Sequence, residues 1–205
     1  MKIIELQYLP QPEYFALLIQ EPNLQIDAHE FFVKQTFRNR CRILTANGID
    51  DLSVPVLGAG KKILTKDIKI DNDQKWLNRH WRAIQSAYGK APFFEYYADE
   101  LQEIFNKKHD FLIDLSHDLL TQCLEFLEFD LDLQFTKEYH DLRNQSENDL
   151  RSKLTPKSNS NLIKSYNQVN YQQVFGNKFV NNLSVIDLIF CEGPEAGRII
   201  KSSII

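Results

Sequence analysis

The chain has few of the residues from which recognisable sites are usually built. Its 205 residues contain three cysteines, Cys41, Cys123 and Cys191. They are odd in number, far apart, and form no CxxC or Cys/His spacing. That excludes a zinc site or a disulfide framework and reads as free thiols in a reducing compartment. No Ser-His-Asp, metal or nucleophilic-cysteine arrangement can be read from spacing, so no metal and no cofactor is assigned. Glycine is also scarce, at seven residues, and none builds a phosphate loop. Gly58-Ala59-Gly60-Lys61-Lys62 resembles a fragment of a Walker loop but lacks the four-residue spacer and the Ser/Thr for magnesium, so a solvated basic turn is expected there. No apolar run approaches the roughly 20 residues of a membrane span. The opening Met1-Lys2-Ile3-Ile4-Glu5 is interrupted by Glu5, Gln7 and Pro10, unlike a secretory leader. Basic excess is missing too: 24 Lys and Arg against 28 Asp and Glu give a net charge of −4. That speaks against nucleic acid as a partner, and a cytoplasmic location is expected.

What is present reads as one globular domain, since 43% apolar and 25% charged residues are ordinary for a chain of this length. Residues 2–9 alternate as a strand and stop at Pro10 and Pro12. Tyr14 to Ile19 then reads as a short buried helix, and residues 24–27 as a second strand. A strand, helix, strand order predicts a parallel crossover, whose first loop, residues 8–13 with Gln11, is a usual ligand position. Helices are predicted from an Asn72 or Asp73 cap to Gly89, with Leu77, Trp81, Ile84 and Tyr88 inward, and over about 98–107 and 111–127. Residues 66–70, the Leu131-Leu133-Phe135 alternation and residues 175–180 read as strands. Ser184 caps a short helix through Cys191, and Gly193-Pro194 opens the last one beside Glu195. The fold class is therefore α/β, a single domain over 1–205 with a central mixed sheet and helices packed on it. Residues 143–165 are polar, rich in Asn and Ser, and read equally as a mobile loop or as a lid carrying Arg151 and Lys157.

The most informative stretch runs from Phe37 to Val56. Asn47-Gly48 between two β-compatible runs predicts an antiparallel hairpin over 38–54. Pairing Ala46 with Ile49 sets Ile43 against Leu52 and Cys41 against Val54 on one buried face. Arg38, Arg40 and Arg42 share the other face, spaced by roughly 7 Å at about 3.4 Å rise per residue. Three guanidiniums in a row need anions or carboxylates to offset their repulsion. Pro55 would then face Arg40, where the ladder expects a donor, so regular pairing is expected to end near Val54.

Arg38-Asn39-Arg40, the strand and turn after it, and Ser53-Val54-Pro55-Val56 resemble the WbqC-like family of bacterial proteins. Trp76, His80, Tyr88, Pro92 and Phe93 form a second segment of resemblance, and Phe179-Val180 with residues 183–190 a third. Gln11-Pro12 with Tyr14-Phe15, and Asp149-Leu150-Arg151 with Pro156-Lys157, match in kind. Longer relatives carry an acidic pair before the Arg-Asn-Arg run. Here those positions are Ala28 and His29, flanked by Asp27 and Glu30, which takes away a scheme with two adjacent carboxylates.

The resemblance implies a surface-polysaccharide or O-antigen context. The leading expectation is transfer of an acyl or aminoacyl unit to a nucleotide-linked amino sugar. His29 or His80 would be the general base, since histidine titrates near neutral pH. A nucleotide sugar or other phosphate-bearing molecule would meet Arg38, Asn39, Arg40, Arg42, Gln11, Arg151, Lys157 and Glu195. The alternatives are a non-catalytic protein that binds a sugar nucleotide or a partner, and a degenerate nucleotidyltransferase. For His80 the competing reading is a hydrogen-bonded core residue, and for the arginine row it is internal pairing with Asp27, Glu30, Asp50 or Asp51.

Overall fold

The computed structural model of the chain describes residues 1–141, 147–156, 162–163 and 166–205. Strand β1 (Ile3–Glu5) leads through a loop into helix α1 (Pro12–Gln20) and on to β2 (Gln25–Asp27). β1 and β2 are parallel neighbours, so the crossover read from the sequence is present. Pro12 occupies the first helical turn, where a missing N–H costs nothing, and the chain leaves the helix before Pro22. β5 (Gln134–Phe135) adds to β2, also parallel, giving the order β1-β2-β5. Beyond β1, Asp149 forms a parallel bridge with Ile3. Every residue of β1 is buried, as expected of a parallel strand covered on both faces.

The hairpin pairs β3 (Arg40–Thr45) with β4 (Gly48–Ser53), antiparallel, as a separate two-stranded sheet. Parallel and antiparallel pairing thus coexist in one α/β domain. The register differs from the expected one by two residues: Thr45 faces Gly48, Ile43 faces Asp50 and Cys41 faces Leu52. The two turn residues are Ala46 and Asn47. Thr45 Oγ1 accepts from Asn47 N and donates to the Gly48 carbonyl, closing the turn one residue early. Gly48 carries the left-handed φ of +105° that this closure needs. A slip of two residues preserves the alternation of faces, so Cys41, Ile43, Leu52 and Val54 are all buried as expected. Pro55 now lies beyond the ladder. Asn39 caps the open end, with Val54 N donating to its carbonyl and its amide to the Val54 carbonyl.

Helices α2 (Trp76–Tyr88), α3 (Phe94–Asn106) and α4 (Leu112–Phe126) follow, and α5 (Val185–Glu192) and α6 (Ala196–Ser202) close the chain. α2 starts a turn later than the expected cap, because Asn72 gives its side chain to Trp76 Nε1 and the His109 carbonyl. The buried face of α2 is rotated toward Trp76 and His80, with Leu77 and Trp81 only partly buried. Ser184 caps α5 by accepting from Ile186 N. Phe190 of α5 packs against Tyr88 and Phe94, ring centres 5.4 and 5.0 Å apart, joining the helices into one core. Two expected strands are absent: Thr65–Asp67 forms a 3-10 turn, although Ile68 and Ile70 are buried as read, and residues 175–180 form no strand. Gly193–Glu195 is likewise a 3-10 turn ahead of α6.

Candidate functional site at the carboxyl ends of the parallel strands

Glu5, Asp27 and Thr136 stand side by side where β1, β2 and β5 end. Glu5 is in register with Asp27, and Thr136 N donates to the Ile26 carbonyl at 3.0 Å. In open parallel sheets this edge is where ligands bind, because the chain leaves the layer and bares polar ends there. Asp27, fully buried, shapes the turn that follows. Its Oδ1 accepts from His29 N at 2.9 Å, Glu30 N at 3.0 Å and the Thr136 hydroxyl at 2.9 Å. The Asp side chain thereby replaces the next ladder bonds and reverses the chain. His29 emerges half-buried and Glu30 points inward.

Glu30 meets Arg38 in a two-pronged ion pair, Nε to Oε1 at 2.7 Å and Nη2 to Oε2 at 2.6 Å. Arg38 is 1% exposed. Its Nη1 donates to Thr36 Oγ1 and Ser152 Oγ, and Glu5 Oε2 stands 4.0 Å from Nη2. Glu5 also accepts from Gln7 Nε2 and from Ser152 N, each at 2.8 Å. Arg151 is the second cation, held by both oxygens of Asp149 and, through Nη1, by Asp27 Oδ2 at 2.8 Å. The cluster therefore sets four carboxylates against two guanidiniums, a formal charge of −2. Burial pushes the Glu30 carboxyl up to about 7, with Glu5 and Asp27 adding to the rise and Arg38 opposing it. The Arg151 hydrogen bond holds the Asp149 carboxyl below its usual range.

Residues 147–156 strap this cluster. Ile3 N donates to the Asn148 carbonyl and Leu150 N to the Ile3 carbonyl, while Leu150 and Leu154 are buried in the core. Arg151 and Ser152 then reach across the strand ends. In this part the polar excursion is seated on the edge of the sheet and covers the site. Lys157 lies outside the described residues, as does most of the remainder of 143–165.

His29 is the group in this cluster suited to proton transfer. The single Thr136 hydroxyl proton goes to Asp27, so toward His29 Nδ1, 3.4 Å away, the Thr136 oxygen can only accept. That assigns the proton of neutral His29 to Nδ1 and leaves Nε2 with its lone pair.

The structure separates the other expected site residues. His80 is fully buried, with Nδ1 2.8 Å from the Tyr8 hydroxyl and Nε2 3.2 Å from the Ser53 carbonyl. Since a carbonyl only accepts, Nε2 carries the proton and Nδ1 accepts from Tyr8. Burial pushes the imidazole down to about 4. In this position His80 joins the loop after β1 to the end of the hairpin, the hydrogen-bonded core placement that competes with the general-base expectation. The arginine row divides into three environments. Arg38 lies in a turn before β3 and is held by internal partners. Arg42 faces Asp51, 3.2 Å away, and donates to the Pro156 carbonyl. In both, carboxyl or carbonyl oxygens take up part of the fork expected to hold an anion. Arg40 alone keeps a buried Nε without a partner among the described residues. Gln11 and Asn39 are buried, each with its side-chain oxygen unpaired there. Glu195 is exposed on the far helical turn and bonds Arg198.

Sequence reasoning gave no site role to Glu5, Thr136, Asp149 or Ser152. Glu5 and Thr136 had a usable signal, a polar residue closing an apolar parallel strand, and Asp149 had its place in the Asp149-Leu150-Arg151 resemblance; Ser152 had none without the strap's position. A cavity of about 620 Å³ opens at the opposite, amino ends of the strands, between Met1, Leu18, Leu24 and Leu133. It contains none of the clustered groups, so it is not taken as the site. Among the described residues no set of His, Cys, Asp and Glu is arranged to hold a metal ion.

The WbqC-like protein family matches residues 7–163 and 158–199. An uncharacterized protein of Mycobacterium tuberculosis (strain ATCC 25618 / H37Rv) is 32% identical over 129 residues, 61% of this chain and 54% of that protein. The match thus spans about half of the relative's length. No solved structure matches significantly. The chain belongs to the WbqC-like protein family. No helix among the described residues is long and apolar enough to cross a membrane.

Proposed function

We propose that the chain acts in surface-polysaccharide biosynthesis by transferring an acyl or aminoacyl group to the amine of a nucleotide-linked amino sugar. The observation that supports a chemical role is the contact of His29 Nδ1 with the Thr136 hydroxyl, itself bonded to Asp27, which leaves Nε2 without a partner among the described residues. The acceptor nitrogen attacks the carbonyl of the activated group, a C–N bond forms, and the bond to the donor's leaving group breaks with its electron pair. The amine proton goes to His29 Nε2. The cluster's excess of carboxylate suits an amine-bearing acceptor beside it. Arg38 and Arg151 serve here by holding the carboxylates in place, not by cradling the phosphates.

A mass-spectrometric assay tests this, with a UDP-linked amino sugar as acceptor and acetyl-coenzyme A or glycyl-adenylate as donor. Acylated product is expected, and His29→Asn should lower the turnover number by about 10²–10⁴-fold at an unchanged melting temperature. Product formed equally fast by His29→Asn would remove the role given to His29. A second reading, a non-catalytic sugar-nucleotide-binding protein, is favoured by the internal pairing of Arg38 and Arg42. It predicts a thermal shift with the sugar nucleotide and no product with either donor.

A further inference from the structure

The Gly58-Ala59-Gly60-Lys61-Lys62 segment takes no part in the cluster, yet the fold brings it to the rim beside His29. Lys66 N donates to the Ala28 carbonyl, Thr65 N to the Glu30 carbonyl and Phe32 N to the Ile63 carbonyl. Phe31 and Leu64 form an antiparallel bridge, so residues 63–66 run alongside the turn that carries His29. The basic loop is built to this shape: Lys61 N closes on the Gly58 carbonyl at 2.8 Å. Gly58 has φ +72°, and a Cβ there would come within 2.7 Å of Ile63 Cδ1. In consequence Lys62 Nζ lies over the Phe31 ring, 4.3 Å from its centre. Tyr139 packs against the same ring, centres 5.5 Å apart, and is itself 50% exposed. Tyr139 belongs to the cluster's other wall, where the His140 carbonyl accepts from Arg151. Lys61 and Lys62 are exposed, and neither has a carboxylate partner among the described residues.

We infer that this rim is a nucleoside diphosphate subsite, in which the base stacks on Tyr139 and the phosphates meet Lys62 and Lys61. The chemistry follows from what is paired and what is free. An exposed aromatic face beside unpaired ammonium groups suits a ligand with a flat π-surface and an anionic tail, and a nucleotide supplies both. Arg38, Arg42 and Arg151 are already engaged by oxygen acceptors. Stacking tolerates any base, so the subsite selects a class and not a particular nucleotide. The inference rests on the reading that the acceptor is nucleotide-linked, and it places that nucleotide a short reach from His29.

Calorimetric titration of the full chain with UDP tests it, with uridine and inorganic pyrophosphate as partial ligands. UDP should bind more tightly than either fragment. Tyr139→Ala and Lys62→Ala should each weaken UDP binding on the order of tenfold. Tyr139→Phe, which keeps the ring, should stay near wild type, as should Arg40→Lys. Equal UDP affinity in the wild type, Tyr139→Ala and Lys62→Ala would overturn the subsite while leaving a nucleotide-linked acceptor in place. So would weakening by Arg40→Lys alone. No UDP binding at millimolar concentration would remove both the subsite and the nucleotide part of the functional reading. Loss of the His29 role in the acylation assay would leave the subsite standing.

Discussion

At the carboxyl ends of the parallel strands charge is buried and paired, whereas in the seam between the hairpin and α2 the buried ionisable group is neutral. The two regions are built from similar raw material, a buried titratable side chain tied to the backbone on either side. They differ in what stands opposite. Glu30 and Arg38 face each other with Glu5 and Asp27 nearby, so losing one member strands a charge in the interior. His80 faces a hydroxyl and a carbonyl, neither of which carries a charge to offset an imidazolium, and burial keeps the ring neutral. The lesson is that burial does not by itself make a histidine or an arginine functional. The partner's charge state settles whether the group stays ionised and whether any donor or lone pair is left for a ligand. By that criterion, among the described residues, His29 keeps a nitrogen without a partner and His80 does not.

The sharpest way to break the contrast is Arg38→Met, which leaves Glu30 unpaired. It should cost about 3–5 kcal/mol of stability, read from urea unfolding. Adding Glu30→Leu should recover a large part of that loss. A single-variant loss below about 1 kcal/mol would mean that the pair is far better solvated than its burial implies.

His80→Phe comes next. It fills the same space but leaves the Ser53 carbonyl and the Tyr8 hydroxyl without partners, so about 1–3 kcal/mol should be lost for each group left unsatisfied. Near-wild-type stability would show that the two hydrogen bonds are dispensable.

A pH series separates the regions through opposite signs. His80 has a folded value of about 4 against 6.5 when unfolded. The unfolded state therefore binds more protons between these values, and the His80 contribution is present above 6.5 and lost as pH falls toward 4. Glu30 has a folded value of about 7 against 4.5. Here the native state binds more protons, so its contribution is present below 4.5 and lost as pH rises through 7. Between pH 4.5 and 6.5 the two slopes oppose each other. His80→Phe should tilt stability toward acid, and Glu30→Gln should tilt it toward neutral pH. Identical pH profiles for wild type and both variants would refute the assignment.

The smallest effect is expected on the hairpin surface. Asp51→Ala removes the partly exposed partner of Arg42 and should change stability by no more than about 1 kcal/mol. A larger loss would place Arg42 among the structural arginines alongside Arg38.

Local chemistry made much of this protein legible from the residues alone. Prolines at 10, 12 and 22 delimit the first crossover, apolar spacing marks α2, α3 and α4, and Ser184 caps α5. The hairpin, the burial of Cys41 and Ile43, and the family resemblance were equally readable, because each depends on neighbours within a turn or a strand. What the sequence left open depended on contacts between distant segments. The hairpin register turned on a Thr45 hydroxyl that competes for the turn. Whether Arg38 meets a ligand turned on Glu30 and on Ser152, which lies 114 positions away. His29 acquires its free Nε2 from Thr136, 107 positions along, and His80 loses its own nitrogens to Tyr8 and Ser53. Tertiary structure alone decided these points, since the charge and hydrogen-bonding state of a side chain is set by whatever the fold places against it.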